Sequence, residues 1–467
     1  MTQAAAPAYA DLEEYLEQTE GERLQDFLEF LRIPSVGTLS QHDADTRRAA
    51  EFVAERLRRM GMEHVELSPT GGHPIVYADW LHAVGAPAVV AYGHYDVQPV
   101  DPLDLWVKPP FDPRVEDDRV FARGAADDKG QVHLHLEAAE AWLKTRGRLP
   151  INLKFIFEGE EESASENLEA WLRANGERLR ADLAVISDTG FFEGNLPAIT
   201  IGLRGIMYCQ VDVSGPNIDL HSGTYGGAVR NPANALARMI AALHDDEGRV
   251  TVPGFYDDVV PLSDQEREES ARLPFDEEEW RTSMGVPALF GEAGYTTTER
   301  RGARPTLDVN GIWGGFEGEG QKTIIPAHAH AKVSCRLVPR QDPERIFEIV
   351  REHILRLAPS GVRVEVSNLS GGRPSLIPID HPAMRAAAHC LGEVFGREPL
   401  YIREGGSIPV AAMFEESLGL PVVLLGFSHQ DDQAHAPNEF LRLENYEGGI
   451  RTVIRYWDEL SRIDLGH

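Results

Sequence analysis

The sequence predicts an α/β protein, with a mostly parallel-sheet catalytic domain covered by helices on both faces and an inserted α+β domain built on an antiparallel sheet. Three observations predict it. In the first part of the chain short apolar runs alternate with helical patterns, the mark of a parallel sheet. After about residue 205 the apolar positions instead alternate singly, as in half-buried antiparallel strands. After about 375 the first style resumes, so the boundaries expected are 1–206, 207–374 and 375–467.

Taken in order, helical spacing runs from Leu12 to Leu31, stopping at Ile33-Pro34, and from Arg47 to Met60, stopping at Gly61. An apolar run at 88–92 follows, then a helix over about Gln131 to Lys144, a run at Ile151 to Phe157, a helix over about Ser165 to Leu179 and a run at Leu183 to Ile186. A further strand is expected at 119–122. In the insert, Met207 to Val213 and Lys332 to Leu337 alternate, with helices near Asn231 to Leu243 and Pro343 to Leu357 and a strand near Val362 to Val366. The acidic, Gly- and Pro-rich stretch 253–320 receives no assignment. A helix at Ala383 to Phe395, a strand at 421–426 and a last helix at Tyr446 to Leu460 close the chain.

The 467 residues carry a net charge of −30, from 45 basic and 75 acidic residues. Nucleic acid and anionic membrane surfaces repel such a chain, whereas a metal cation suits it. The cysteines, Cys209, Cys335 and Cys390, are odd in number and far apart, so neither a disulfide framework nor a cysteine zinc site is expected. The N-terminus has no basic and apolar leader pattern, and no run approaches the roughly 18 apolar residues of a membrane span. A cytoplasmic protein is expected.

Parallel sheets place ligands beyond the carboxyl ends of their strands. There the sequence puts His94 and Asp96, two apart on one face of an extended segment; Asp127 and Asp128 just before a helix; Glu160, Glu161 and Glu162; Asp188; and Asp431, Asp432 and His435. One aspartate after a strand is ordinarily a turn or a helix cap, and a lone histidine an ordinary packed residue. So many carboxylates converging on one crevice repel one another unless a cation compensates them. Mixed His and carboxylate donors suit zinc, with manganese or cobalt as substitutes, and two such ions sharing a carboxylate can activate a water for hydrolysis.

On these residues the chain resembles the co-catalytic di-zinc metallopeptidases: carnosinases, cytosolic non-specific dipeptidases, aminoacylases and acetylornithine deacetylases. The motifs are Gly-His-Tyr-Asp-Val-Gln-Pro at 93–99, Arg-Gly-Ala-Ala-Asp-Asp-Lys-Gly at 123–130, Glu-Gly-Glu-Glu-Glu-Ser at 158–163, Ser-Asp at 187–188, Asp-Leu-His-Ser-Gly at 219–223 and Asp-Asp-Gln-Ala-His at 431–435. The resemblance runs from about residue 12 to 460.

It implies that Asp127 bridges two metals and that its peptide bond to Asp128 is cis, as often in relatives. His94 and Asp188 would complete one ion, Glu162 and His435 the other, with His429 the nearest rival to His435. Asp96 would orient His94. Glu161 would be the general base and acid, Glu160 taking that role if the register slips by one. His221 would reach across a homodimer, formed by an inserted domain that acts as lid and dimerisation unit, to stabilise the oxyanion in the partner's site. Arg336 and Thr323 resemble the residues holding a substrate's terminal carboxylate, and Glu404, Gly406 and Ser407 the loop contacting substrate near the metals. Ser370 departs from the pattern, since several animal relatives carry histidine there.

The expected activity is hydrolysis of dipeptides or short peptides with a free C-terminal carboxylate, by a water bridging two divalent ions, zinc foremost and manganese or cobalt possible. The insert's length, which goes with the carnosinase-like branch, favours this over an N-acyl-amino-acid amidohydrolase. A catalytically silent peptide- or metal-binding protein is the alternative of another class.

Overall fold

The computed structural model describes residues 8–406, 408–429 and 431–465. Two compact units divide the chain: the first takes the chain up to Ile201, Ile377–Ile402 and the part from Met413 onward, the second Gly202–Leu376 and Arg403–Ala412.

The first unit is organised around four parallel strands, in the order Asn152–Glu158, Ala88–His94, Leu183–Ile186 and Val422–Leu424. Each is almost wholly buried, which is why each reads as a continuous apolar run. Antiparallel strands flank this centre, Ile75–Trp80 and Glu63–Ser68 on one side and Ala198–Leu203 on the other. Helix Lys129–Arg146 packs against helices Ala10–Leu31, Asp43–Met60 and Leu443–Leu460. It is buried nearly all round. Its two histidines therefore find different partners: His133 lies between the Tyr446 hydroxyl at 2.8 Å and Asp26 at 3.1 Å, while His135 meets the Ser187 hydroxyl at 2.7 Å.

One expected strand sits elsewhere. Arg119–Phe121 is not part of the parallel sheet but the middle of a small antiparallel one, between Arg114–Glu116 and Phe440–Arg442. The reason is a two-residue turn, Asp117-Asp118, with φ of 49° and 58°, which closes a hairpin whose twist requires positive φ at both positions. The hairpin and Phe440–Arg442 lay residue 439 alongside the loop that starts at Ala122, where Ala122 N donates to the Glu439 carbonyl at 3.1 Å.

The second unit carries a four-stranded antiparallel sheet in the order Thr306–Trp313, His328–Leu337, Gly205–Ser214 and Arg363–Gly372. The alternation along Gly205–Ser214 and His328–Leu337 sends Met207, Cys209, Val211, Val333 and Cys335 into one core with helices Pro232–Ala241 and Pro343–Leu357. The stretch left unassigned by the sequence holds three short helices, Asp264–Arg272, Glu277–Ser283 and Thr297–Ala303. No helix among the described residues is long and apolar enough to cross a membrane.

Candidate metal centre

Parallel pairing aligns the strand ends, and the polar side chains that follow them meet in the first unit. His94 ends its own strand, opposite Glu158 in register. Asp188 follows Leu183–Ile186 by two residues. Asp127 precedes helix Lys129–Arg146, and Glu161 and Glu162 begin the single turn Glu161–Ser163 after strand Asn152–Glu158. The Asp127–Asp128 peptide is cis.

Asp127 holds the centre. Its Oδ1 lies 3.1 Å from His94 Nε2 and its Oδ2 2.8 Å from His435 Nε2. His94 Nε2 is also 3.9 Å from Asp188 Oδ1, and His435 Nε2 3.4 Å from Glu162 Oε2. Two donor groups result, His94, Asp127 and Asp188 on one side and Asp127, Glu162 and His435 on the other, each with its ligand atoms within 4.8 Å of one another.

The chemistry of these groups fits a pair of divalent cations. No salt bridge from a lysine or arginine reaches Asp127, Asp188 or Glu162 among the described residues, and the buried Glu162 Oε1 has no hydrogen-bond partner. A buried carboxylate oxygen without a donor is costly unless a cation meets it. The rival cluster of His429, Asp431 and Asp432 already has a cationic partner, because Arg442 binds Asp431 at 2.8 Å and also binds Asp432.

The electrostatics carry the strain of shared negative charge. Burial, with the charges of Asp188, Asp127 and Glu162 close by, pushes the Glu161 carboxyl well above its ordinary range, against the pull of His94. Burial and Asp127 raise Glu162 to about 7. Burial also favours a protonated Asp127, yet hydrogen bonds from His435 and His94 outweigh it and hold that carboxyl below its usual value. Its hydrogen bonds to Asp127 and Glu162 raise His435 to about 10.

Asp96 is fully buried and works in two directions. Its Oδ1 lies 3.3 Å from His94 Nδ1, and its carboxylate accepts the backbone N–H groups of Glu161 at 3.3 Å and Glu162 at 3.1 Å. One acid thus orients a histidine and the turn that carries two glutamates.

The remaining predicted residues belong to the second unit. His221 is exposed and its Nδ1 accepts the Gly223 N–H at 3.0 Å; it pairs in register with Ile324, beside the exposed Thr323, whose carbonyl accepts from Ser222 N at 3.1 Å. Arg336 is half-buried near the end of strand His328–Leu337 and lines a cavity of about 500 Å³ that Arg204 also lines. Glu404 and Gly406 lie in the segment Arg403–Ala412, where Arg204 Nε donates to the Gly405 carbonyl at 3.3 Å. Ser407 lies outside the described residues. Sequence reasoning missed Arg204 and also Gln98, whose amide donates to Glu162 Oε2 at 2.6 Å. Gln98 stands inside the same motif as His94 and Asp96 and was legible there.

A strand-end cluster of histidines and carboxylates sharing one aspartate, on a sheet with a parallel centre, defines the class of metal-dependent hydrolases. The model of peptidase family M20/M25/M40 matches residues 90–459. The chain belongs to that family, on its dipeptidase branch. It is 33% identical over 468 residues, covering 97% of this chain and 98% of the relative, to the Cys-Gly metallodipeptidase dug1 of Schizosaccharomyces pombe. To the human Beta-Ala-His dipeptidase it is 32% identical, covering 96% and 92%. Among solved structures, an M20 family metallo-carboxypeptidase from Sulfolobus solfataricus superposes with a TM-score of 0.83 at 33% identity, covering 95% of this chain and all of the other.

Proposed function

We propose that this protein hydrolyses the peptide bond of dipeptides or short peptides with a free C-terminal carboxylate, and that it does so with two divalent cations, zinc foremost. The observation that carries the reading is the sharing of Asp127 by two donor groups in a chain of the dipeptidase branch. His94, Asp127 and Asp188 would hold one ion and Asp127, Glu162 and His435 the other. When bound, the ions supply Lewis acidity, polarising the scissile carbonyl and lowering the pKa of a water towards about 7.

The chain's own residues do the rest. Glu161, next to the ligand Glu162, takes the proton of the attacking water and returns it to the leaving amine. Asp96 fixes the His94 ring and the Glu161-Glu162 backbone. Arg336, with Thr323, holds the substrate's terminal carboxylate, a role for which a guanidinium fork is suited, and Glu404, Gly406 and Ser407 belong to the loop that contacts substrate near the cations. His221 acts in the partner's site of a homodimer, stabilising the oxyanion of the tetrahedral intermediate. Exposed Val309, Ile312, Trp313 and Phe316 at an edge of the second unit's sheet support self-association there. The absence of paired cysteines supports a cytoplasmic setting.

The test is the metal-loaded protein incubated with a dipeptide panel and an N-acetyl-amino-acid panel. Release of free amino acids from dipeptides supports the reading. Turnover of the acylated set alone makes the protein an amidohydrolase, and turnover of neither makes it a binding protein; both outcomes contradict the proposal.

A further inference from the structure

Glu439 is a carboxylate with no exposure, four residues beyond His435, and the proposed reaction gives it no part. Four donors surround it. Its Oε1 accepts the backbone N–H groups of Ala126 at 2.9 Å and Asp127 at 3.1 Å, and its Oε2 accepts Gly124 N at 3.0 Å and Arg123 Nη1 at 2.7 Å. Arg123 is itself 1% exposed and donates Nη2 to the Pro99 carbonyl at 3.1 Å. A buried carboxylate saturated by three main-chain amides and one guanidinium is a rigid object, because charge-assisted bonds are short and strong and each donor would be orphaned without it.

The chain ties this object to both donor groups. The backbone that Glu439 grips is the loop that ends in Asp127, and the strap 435–439 has His435 at its other end. Asp127 N–H and Asp127 Oδ2 are thus engaged by the two ends of one five-residue strap, Glu439 and His435. We infer that Glu439, with Arg123 as its counter-charge, is the positioning residue that sets the shared carboxylate of Asp127 against both donor groups, so that the loop and the strap cannot move independently. The inference rests on the reading of Asp127 as the shared ligand.

The experiment is zinc binding by the full chain, measured by competition with a chelator together with the number of ions retained, in wild type and Glu439→Gln. The glutamine keeps the shape but turns an amide NH₂ towards one pair of donors. The expected result is zinc affinity weaker by about 10- to 100-fold, with a cooperative thermal unfolding transition retained. A folded variant that binds two ions with wild-type affinity overturns the inference and leaves the metal reading intact. A wild type that does not bind two ions overturns both. If Glu439→Gln does not fold, Arg123→Gln decides instead: it leaves the three amide bonds in place and removes the counter-charge, a loss of about tenfold in affinity is expected, and wild-type affinity overturns the inference.

Discussion

The carboxylate of Asp96 accepts the backbone N–H of Glu162 at 3.1 Å while its other oxygen lies 3.3 Å from His94 Nδ1. One buried acid therefore couples a histidine from the first donor group to the turn that carries a ligand of the second. Asp96→Ala removes the carboxylate from both contacts at once, while His94 Nδ1 keeps the main-chain carbonyl of residue 96 at 3.1 Å. Zinc affinity is expected to fall by about 10- to 100-fold, at both ions rather than one. Chelator competition followed by metal counting checks this, and loss confined to a single ion argues against the coupling.

In the proposed reaction Glu161 moves the proton, while Glu162 beside it would hold a cation. In Glu161→Gln the metal content is expected to stay at the wild-type value while dipeptide hydrolysis falls by a factor of about 10² to 10⁴. Elemental analysis and a steady-state assay on one preparation decide it. If Glu160→Gln shows the larger loss instead, the register of the triple glutamate is shifted by one.

If His221 serves the partner's site, inactive variants rescue one another. A protein with His221→Ala mixed with one carrying Glu161→Gln, after subunit exchange, forms hybrids in which one site has both groups. Activity is expected in the mixture and in neither parent. A mixture that exchanges subunits and stays as inactive as its parents shows that His221 acts within its own chain, and a His221→Ala parent that is itself active shows that it has no part in the reaction.

His135 is buried and neutral, and its burial lowers its pKa from 6.5 to about 3. Between those values the unfolded chain binds a proton that the folded one refuses, so stability falls as pH drops from 6.5 towards 3, by up to about 1.4 kcal/mol per pH unit from this group. His135→Leu is expected to flatten that limb. Denaturant unfolding at pH 7 and pH 5 gives the comparison, and an equal acid loss in both proteins would remove His135 from the account.

How much of this was legible in the sequence depended on local signals. His94, Asp127, Glu162 and Asp188 each stand just after a buried apolar run or at a helix start, and it is their joint convergence at strand ends, not any one position, that suggests ligands. The hairpin turn Asp117-Asp118 was legible too, but two acids read equally well as a loop before a parallel strand. The three short helices in 253–320 have hydrophilic sequences without a strong apolar period. Two of them begin with capping boxes, Ser263 with Glu266 and Thr296 with Glu299, and buried Arg304 pairs with Glu292 at 2.8 Å. The caps were readable; the ion pair, which depends on folding, was not. Glu439 was hidden for the same reason, since nothing in its sequence neighbourhood says that three amides from residues 124–127 will converge on it.

The central claim is that Asp127 is shared by two cations. The most direct measurement is anomalous diffraction from crystals of the metal-loaded protein. The account predicts two peaks, one among His94, Asp127 and Asp188 and the other among Asp127, Glu162 and His435. A single peak, or a peak at His429, Asp431 and Asp432 with none beside Asp127, would contradict it.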